Sequence, residues 1–145
     1  MSLPRTFRRC LADRRGAVAI EFAAIALPFI LLLAGTMEIS RFTWSRVALQ
    51  DVASAGARCL GLRVSPCFVS DSIDEDATLT FVMDEARGWA VTIAEDTVSL
   101  DPDAECEGVD DFAKVAIRHR FTSVLAALPD KWIEVEACFP VAPSS

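Results

Sequence analysis

The sequence has little with which to do covalent chemistry. It holds one histidine, His119, and six glycines in 145 residues, and no glycine-rich phosphate loop. No CxxC and no His/Cys cluster offers the spacing of a zinc site. No nucleophile stands beside a base in a recognisable arrangement. His119 falls on the apolar parity of a strand pattern, where a half-buried, satisfied histidine is the ordinary outcome. These absences argue against an enzyme, a resident metal or a cofactor. Basic residues are also scarce where a nucleic-acid surface would need them. Residues 38–145 carry nine Lys and Arg against nineteen Asp and Glu, a net charge of −10. Such a domain offers no electrostatic footprint for nucleic acid.

The charge that is present is sorted along the chain. Residues 1–16 hold five Arg against Asp13, a net +4. From Ala17 to Met37 run 21 residues in which Glu21 is the only charge. A helix of that length at about 1.5 Å per residue spans roughly 30 Å, the thickness of a bilayer core. A basic flank stays cytoplasmic, so residues 38–145 are expected to be exported to the periplasm. The expected organisation is a leader at 1–16, a transmembrane helix at 17–37 and a periplasmic head at 38–145. An ordinary signal peptide fits less well. Leu33-Ala34-Gly35-Thr36 is a poor cleavage site, and Glu21 is misplaced in an apolar signal core.

Glu21 sits near the start of the apolar run. A carboxylate inside a bilayer costs a few kcal/mol even on lenient scales, so it needs a partner or a role. One reading pairs it with a cation from a neighbouring chain. The other lets it snorkel to the cytoplasmic interface. Pro28, inside the same run, removes a backbone donor and is expected to kink or loosen the helix.

Beyond the membrane the helix is expected to continue, because no Pro occurs from Glu38 to Leu62. Ile39, Phe42, Leu49, Val52, Gly56 and Cys59 recur on one face, either a core-facing side or a seam between subunits. Gly61 to Ser70 reads as a loop. Ser72-Ile73-Asp74-Glu75 has the form of a capping box. It would open a second helix whose apolar face is Leu79, Val82, Met83, Ala86, Trp89 and Ala90. Thr97–Leu100 reads as a short strand. Phe112–Phe121 and Lys131–Phe139 alternate with period two and read as an antiparallel pair. In that pairing Arg118 and Arg120 would face Glu134 and Glu136 on the solvent side. The class is α+β: a long N-terminal helix, a second helix and a short antiparallel sheet. Asp101, Asp103, Glu105 and Glu107 read as an acidic loop over 101–111, open to solvent or to calcium.

Of five cysteines, Cys10 lies before the apolar run, and Cys59, Cys67, Cys106 and Cys138 lie after it. Four cysteines in an exported domain suggest two disulfides, with three possible connectivities. Cys59–Cys67 with Cys106–Cys138 is favoured. The first closes the helix end onto the following loop. In the second, Cys138 shares the polar parity of Glu134 and Glu136, where it can meet the acidic loop. Closing a loop of about thirty residues is worth on the order of 3–4 kcal/mol in the chain-entropy account.

The stretch Arg14-Arg15-Gly16-Ala17-Val18-Ala19-Ile20-Glu21-Phe22 resembles the processing site of type IV-like prepilins. With Leu27-Pro28-Phe29-Ile30-Leu31-Leu32-Leu33, and then Ala48-Leu49-Gln50-Asp51-Val52-Ala53, it is similar to the TadE/TadF pseudopilins of the tight-adherence (Flp) pilus. That resemblance implies cleavage between Gly16 and Ala17 by a prepilin peptidase. It implies assembly roles for Glu21, Phe22 and Pro28, with Glu21 meeting the new terminal amine of a neighbour. The implied partners are other minor pseudopilins, the major Flp pilin, the inner-membrane pilus platform and membrane lipid. The implied function is that of a minor pseudopilin in pilus assembly or priming and in adhesion. A membrane-anchored periplasmic binding module with an uncut leader, and a secreted disulfide-rich enzyme, are the rival readings.

Overall fold

The computed structural model describes residues 16–69, 72–125 and 129–142, with the Ala17 side chain also left aside. The basic leader, with Arg14, Arg15 and Cys10, lies outside the described residues. The chain divides into two compact units, Met1–Ile39 and Ser40–Ser145. Helix α1 (Ala17–Gly61) supplies both. In the second unit it is followed by β1 (Phe68–Val69), β2 (Ser72–Ile73), α2 (Glu75–Gly88), a 3-10 turn (Glu95–Thr97), β3 (Val98–Cys106), β4 (Val109–Phe121) and β5 (Lys131–Pro140). The fold is α+β, with an antiparallel sheet in the order β3-β4-β5.

Small residues set the packing of the second unit. Ala48, Leu49, Val52, Ala53, Ala57 and Leu60 are buried along α1. A Cβ on Gly56 would come within 2.9 Å of Val82 on α2 and 3.4 Å of Val115 on β4. Glycine therefore lets helix, helix and sheet converge at one point. The sheet answers with Ala113, Val115, Ile117, Ile133 and Val135, all on one face. Their alternation with exposed residues along β4 and β5 is what a sheet covered on one side requires. Ile39, expected on the core-facing stripe, is instead 67% exposed, and it belongs to the other unit.

Helix α2 starts two residues later than the capping-box reading. Asp74 is the N-cap, and its carboxylate accepts from the Ala77 N–H at 2.9 Å. Ser72 is held in β2, and its hydroxyl donates to the Val69 carbonyl. Glu75 and Asp76 then lie in the first turn, where the helix dipole favours them. Inside the helix Thr78 is fully buried, its hydroxyl donating to the Asp74 carbonyl at 2.7 Å. The helix ends in a Schellman arrangement: the Val91 N–H reaches the Ala86 carbonyl and the Ala90 N–H reaches that of Arg87. Ala90 thus takes a left-handed φ of 59° and is exposed, not part of the apolar face.

The acidic stretch is a strand and not a loop. Asp101, Asp103 and Glu105 point outward from β3 while Ala104 and Cys106 are buried. Glu107 (φ 53°) and Gly108 (φ 81°) close a two-residue hairpin between Cys106 and Val109. Both central residues with positive φ make this the turn whose twist matches the flanking strands. The same ladder extends β3 far beyond the expected Leu100, and Thr97 ends the turn before it. Pro102 is tolerated because β3 is an edge strand.

Candidate membrane and assembly segment

In the first unit the apolar residues of α1 meet no core. Val18, Ile20, Phe22, Ile25, Leu27, Phe29 and the Ile30–Leu33 run are each half or more exposed. A helix with this composition, long enough to cross a bilayer and with its apolar run left exposed among the described residues, is a candidate membrane anchor. Glu21 and Phe22 are both exposed on it, one after the other. The helix is unbroken through Pro28. Pro28 has no N–H, so the Ala24 carbonyl four residues earlier lacks its usual helical donor. Thr36 keeps its hydroxyl satisfied by donating to the Leu33 carbonyl at 2.8 Å.

Gly16 precedes the first residue of α1. A Cβ there would meet nothing within 4 Å, so packing among the described residues does not demand glycine at this position.

The second unit contributes the cystine framework. Cys59 is bonded to Cys67 with Cα atoms 5.9 Å apart, fastening the end of α1 to the segment that follows. Cys106 is bonded to Cys138 with Cα atoms 6.6 Å apart. Those residues lie on β3 and β5, which are separated by β4. Flat strands two positions apart would be roughly 9–10 Å from each other. Register shifts between Asp101 and Ala104, and again between Ala104 and Cys106, let the end of β3 close that gap. The C-terminal segment is tied back as well: the Ala142 N–H donates to the Gly61 carbonyl at 2.8 Å. Gly61 itself abuts Phe139 and Pro140, where a Cβ would lie 2.7 and 2.9 Å from their atoms.

On the solvent face of the sheet Arg118 pairs with Glu134 at 3.0 Å and stacks over Trp132, 4.5 Å from the ring centroid. The partners of Arg120 and Glu136 differ from the expected ones. The register sets Arg120 opposite Trp132 and Glu136 opposite Ala116. Arg120 therefore reaches Asp130 at 2.8 Å, and Glu136 takes Lys114 at 2.7 Å. A groove of about 630 Å³ on this face is lined by Thr97, Ser99, Arg118, Trp132 and Glu134, among others. Its Arg118 and Glu134 already neutralise one another, and no nucleophile and base converge there. His119, on the other face of β4, is half-buried, and burial pushes its pKa below the usual imidazole value. Among the described residues no three His, Cys, Asp or Glu side chains converge as metal ligands, the 101–111 acids included.

Residues 16–58 match the family model of TadE-like proteins. The match begins at Gly16, takes in Glu21, Phe22 and Pro28, and ends one residue before Cys59. No curated protein and no solved structure matches the chain.

Proposed function

We propose, for a chain whose residues 16–58 are TadE-like and so tie it to a Tad pilus system, the role of a minor pseudopilin. The observation that carries this reading is the coincidence of three features at the start of the match. Gly16 is a glycine that packing among the described residues does not require. Glu21 is the only charge in the apolar run 17–37 of the helix. The helix presents its apolar side chains to no core of its own. Peptidase cleavage between Gly16 and Ala17 would leave Glu21 as the fifth residue and place a new ammonium at the helix start. A carboxylate on one helix and an ammonium on its neighbour then satisfy each other in the lipid. Either one left alone there would be costly. Phe22 and Pro28 would shape the same helix-packing surface.

In this reading residues 1–16 stay in the cytoplasm until cleavage, residues 17–37 cross the inner membrane, and residues 38–145 form the periplasmic head. The basic leader and the two disulfides support that orientation. The protein acts through assembly with other pilus subunits and the platform, contributing to priming and adhesion, and catalyses no reaction.

Glu21→Ala as the sole cellular copy tests the pairing. The expected result is loss of most piliation and of co-purification with other pilins, while thermal unfolding of the head stays unchanged. Normal pilus counts with the mutant would mean that Glu21 only snorkels to the interface.

A further inference from the structure

The second unit has one end rich in aromatic and apolar side chains, and the opposite end is acidic. Its share of α1 begins at Ser40. In the next turn Phe42 packs edge-on against Phe121 at 5.3 Å, and Arg41 lies over the same ring at 5.4 Å. Trp44, 57% exposed, meets Trp89 edge-on at 5.6 Å. Phe121 ends β4, and the connection that leaves it is unusually apolar: Val124-Leu125-Ala126-Ala127-Leu128-Pro129. Val124 is 74% exposed, on a turn held by the Ser123 hydroxyl bonded to both polar groups of the Leu125 backbone. Arg118, Arg120 and Lys131 belong to this end of the sheet, and Glu95, Asp96, Asp130 and Glu134 balance them there, with Arg118 paired to Glu134 and Arg120 to Asp130. At the other end of β4, about 40 Å away at the usual strand rise, stand Asp101, Asp103, Glu105, Glu107, Asp110 and Asp111. No Lys or Arg lies between Ser99 and Ala113 to offset them.

We infer that the Arg41, Trp44, Trp89 and Val124–Leu125 end of the head is a lipid-contacting surface that seats it on the bilayer its own helix crosses. The inference rests on the membrane-anchor reading of residues 17–37. Only three peptide links separate Met37, the last residue of the apolar run, from Ser40. A tether of that length cannot exceed about 11 Å, so this end of the head lies within reach of the headgroups however the two units are oriented. Tryptophan is the residue best suited to that depth, since its ring is apolar and its N–H is polar. The acidic pole is held away from anionic lipid by repulsion.

The three tryptophans of the sequence, Trp44, Trp89 and Trp132, supply the test. The full chain is placed in vesicles of phosphatidylethanolamine and phosphatidylglycerol containing lipid brominated near the headgroup. Trp89 is isolated by Trp44→Phe with Trp132→Phe, and a control tryptophan at the acidic end is supplied by the exposed Val109, as Val109→Trp with Trp44→Phe, Trp89→Phe and Trp132→Phe. Trp89, remote in sequence from the anchor, should lose on the order of half its emission if it lies in the interfacial belt, while the tryptophan at position 109 keeps nearly all of its own. Adding Val124→Asp, at a position 74% exposed, should bring Trp89 close to the level of the control without changing the unfolding midpoint. If the protein floats with the vesicles but Trp89 is quenched no more than the control, the lipid-contacting surface is refuted and the anchor stands. If the protein does not float, both fail together.

Discussion

The fold perturbs the titration of His119. Burial on the core side of β4 disfavours the imidazolium and lowers its pKa. In the unfolded chain the same imidazole takes up its proton near pH 6.5. Below that pH the unfolded state therefore binds more protons than the folded one, and folding stability falls as pH falls. Thermal unfolding of the full chain in detergent should show a midpoint that declines as pH drops through 6.5. His119→Gln should flatten that decline. An identical pH dependence in the variant would place the sensitivity in the carboxylates instead. His119 was legible in the sequence as a strand residue of apolar parity. The role of Thr78 was not, because a buried threonine satisfied by its own helix leaves no mark in a hydrophobic pattern.

At the scale of elements, the end of α2 shows what a local sequence reading misses. Gly88 stands in the last helical position, while the left-handed residue of the Schellman motif is Ala90. An alanine there carries a steric penalty that glycine does not, on the order of 1 kcal/mol. Ala90→Gly is accordingly expected to raise the stability of the head by about 0.5–1 kcal/mol, read as an increase in urea midpoint at constant slope. A loss of stability would mean that Ala90 is not held at positive φ. The strands were legible to different degrees. β4 and β5 alternate cleanly between apolar and polar residues, and each is buried on one face. β3 alternates as well, but its polar residues are Asp and Glu and it contains Pro102, residues that single strands seldom favour. The pairing with β4 and the edge position outweigh those preferences. The displaced cap of α2 has a similar cause. Ser72 is claimed by the β1–β2 pairing, which leaves Asp74 as the nearest side chain able to accept from the first turn. Cross-strand register likewise decides the partners of Arg120 and Glu136, and neither can be fixed by counting charges.

The whole molecule divides its tasks between two kinds of surface. The first unit leaves a membrane-length row of apolar side chains without a core among the described residues, and the TadE-like match at 16–58 runs from it into the second unit's share of α1. The second unit is a thin α+β head, stapled by Cys59–Cys67 and Cys106–Cys138, whose residues beyond 58 lie outside the family match. A head of this size gains a large share of its stability from such staples. The candidate assembly segment was legible almost entirely from Gly16 to Leu33, because a lone carboxylate on an apolar run is a local signal. The lipid-facing end of the head was not, since Arg41, Trp44, Trp89 and Val124 are scattered in sequence and brought together only by the packing of Phe42 on Phe121 and Trp44 on Trp89. The central claim is that this chain is a processed pilus subunit, and the N-terminus of the mature protein tests it most directly. Membrane-extracted protein from cells carrying the prepilin peptidase, analysed by Edman degradation and intact mass, should begin Ala-Val-Ala-Ile-Glu at Ala17. A protein that still begins at Met1 in those cells, or that starts beyond Gly35, would contradict the account.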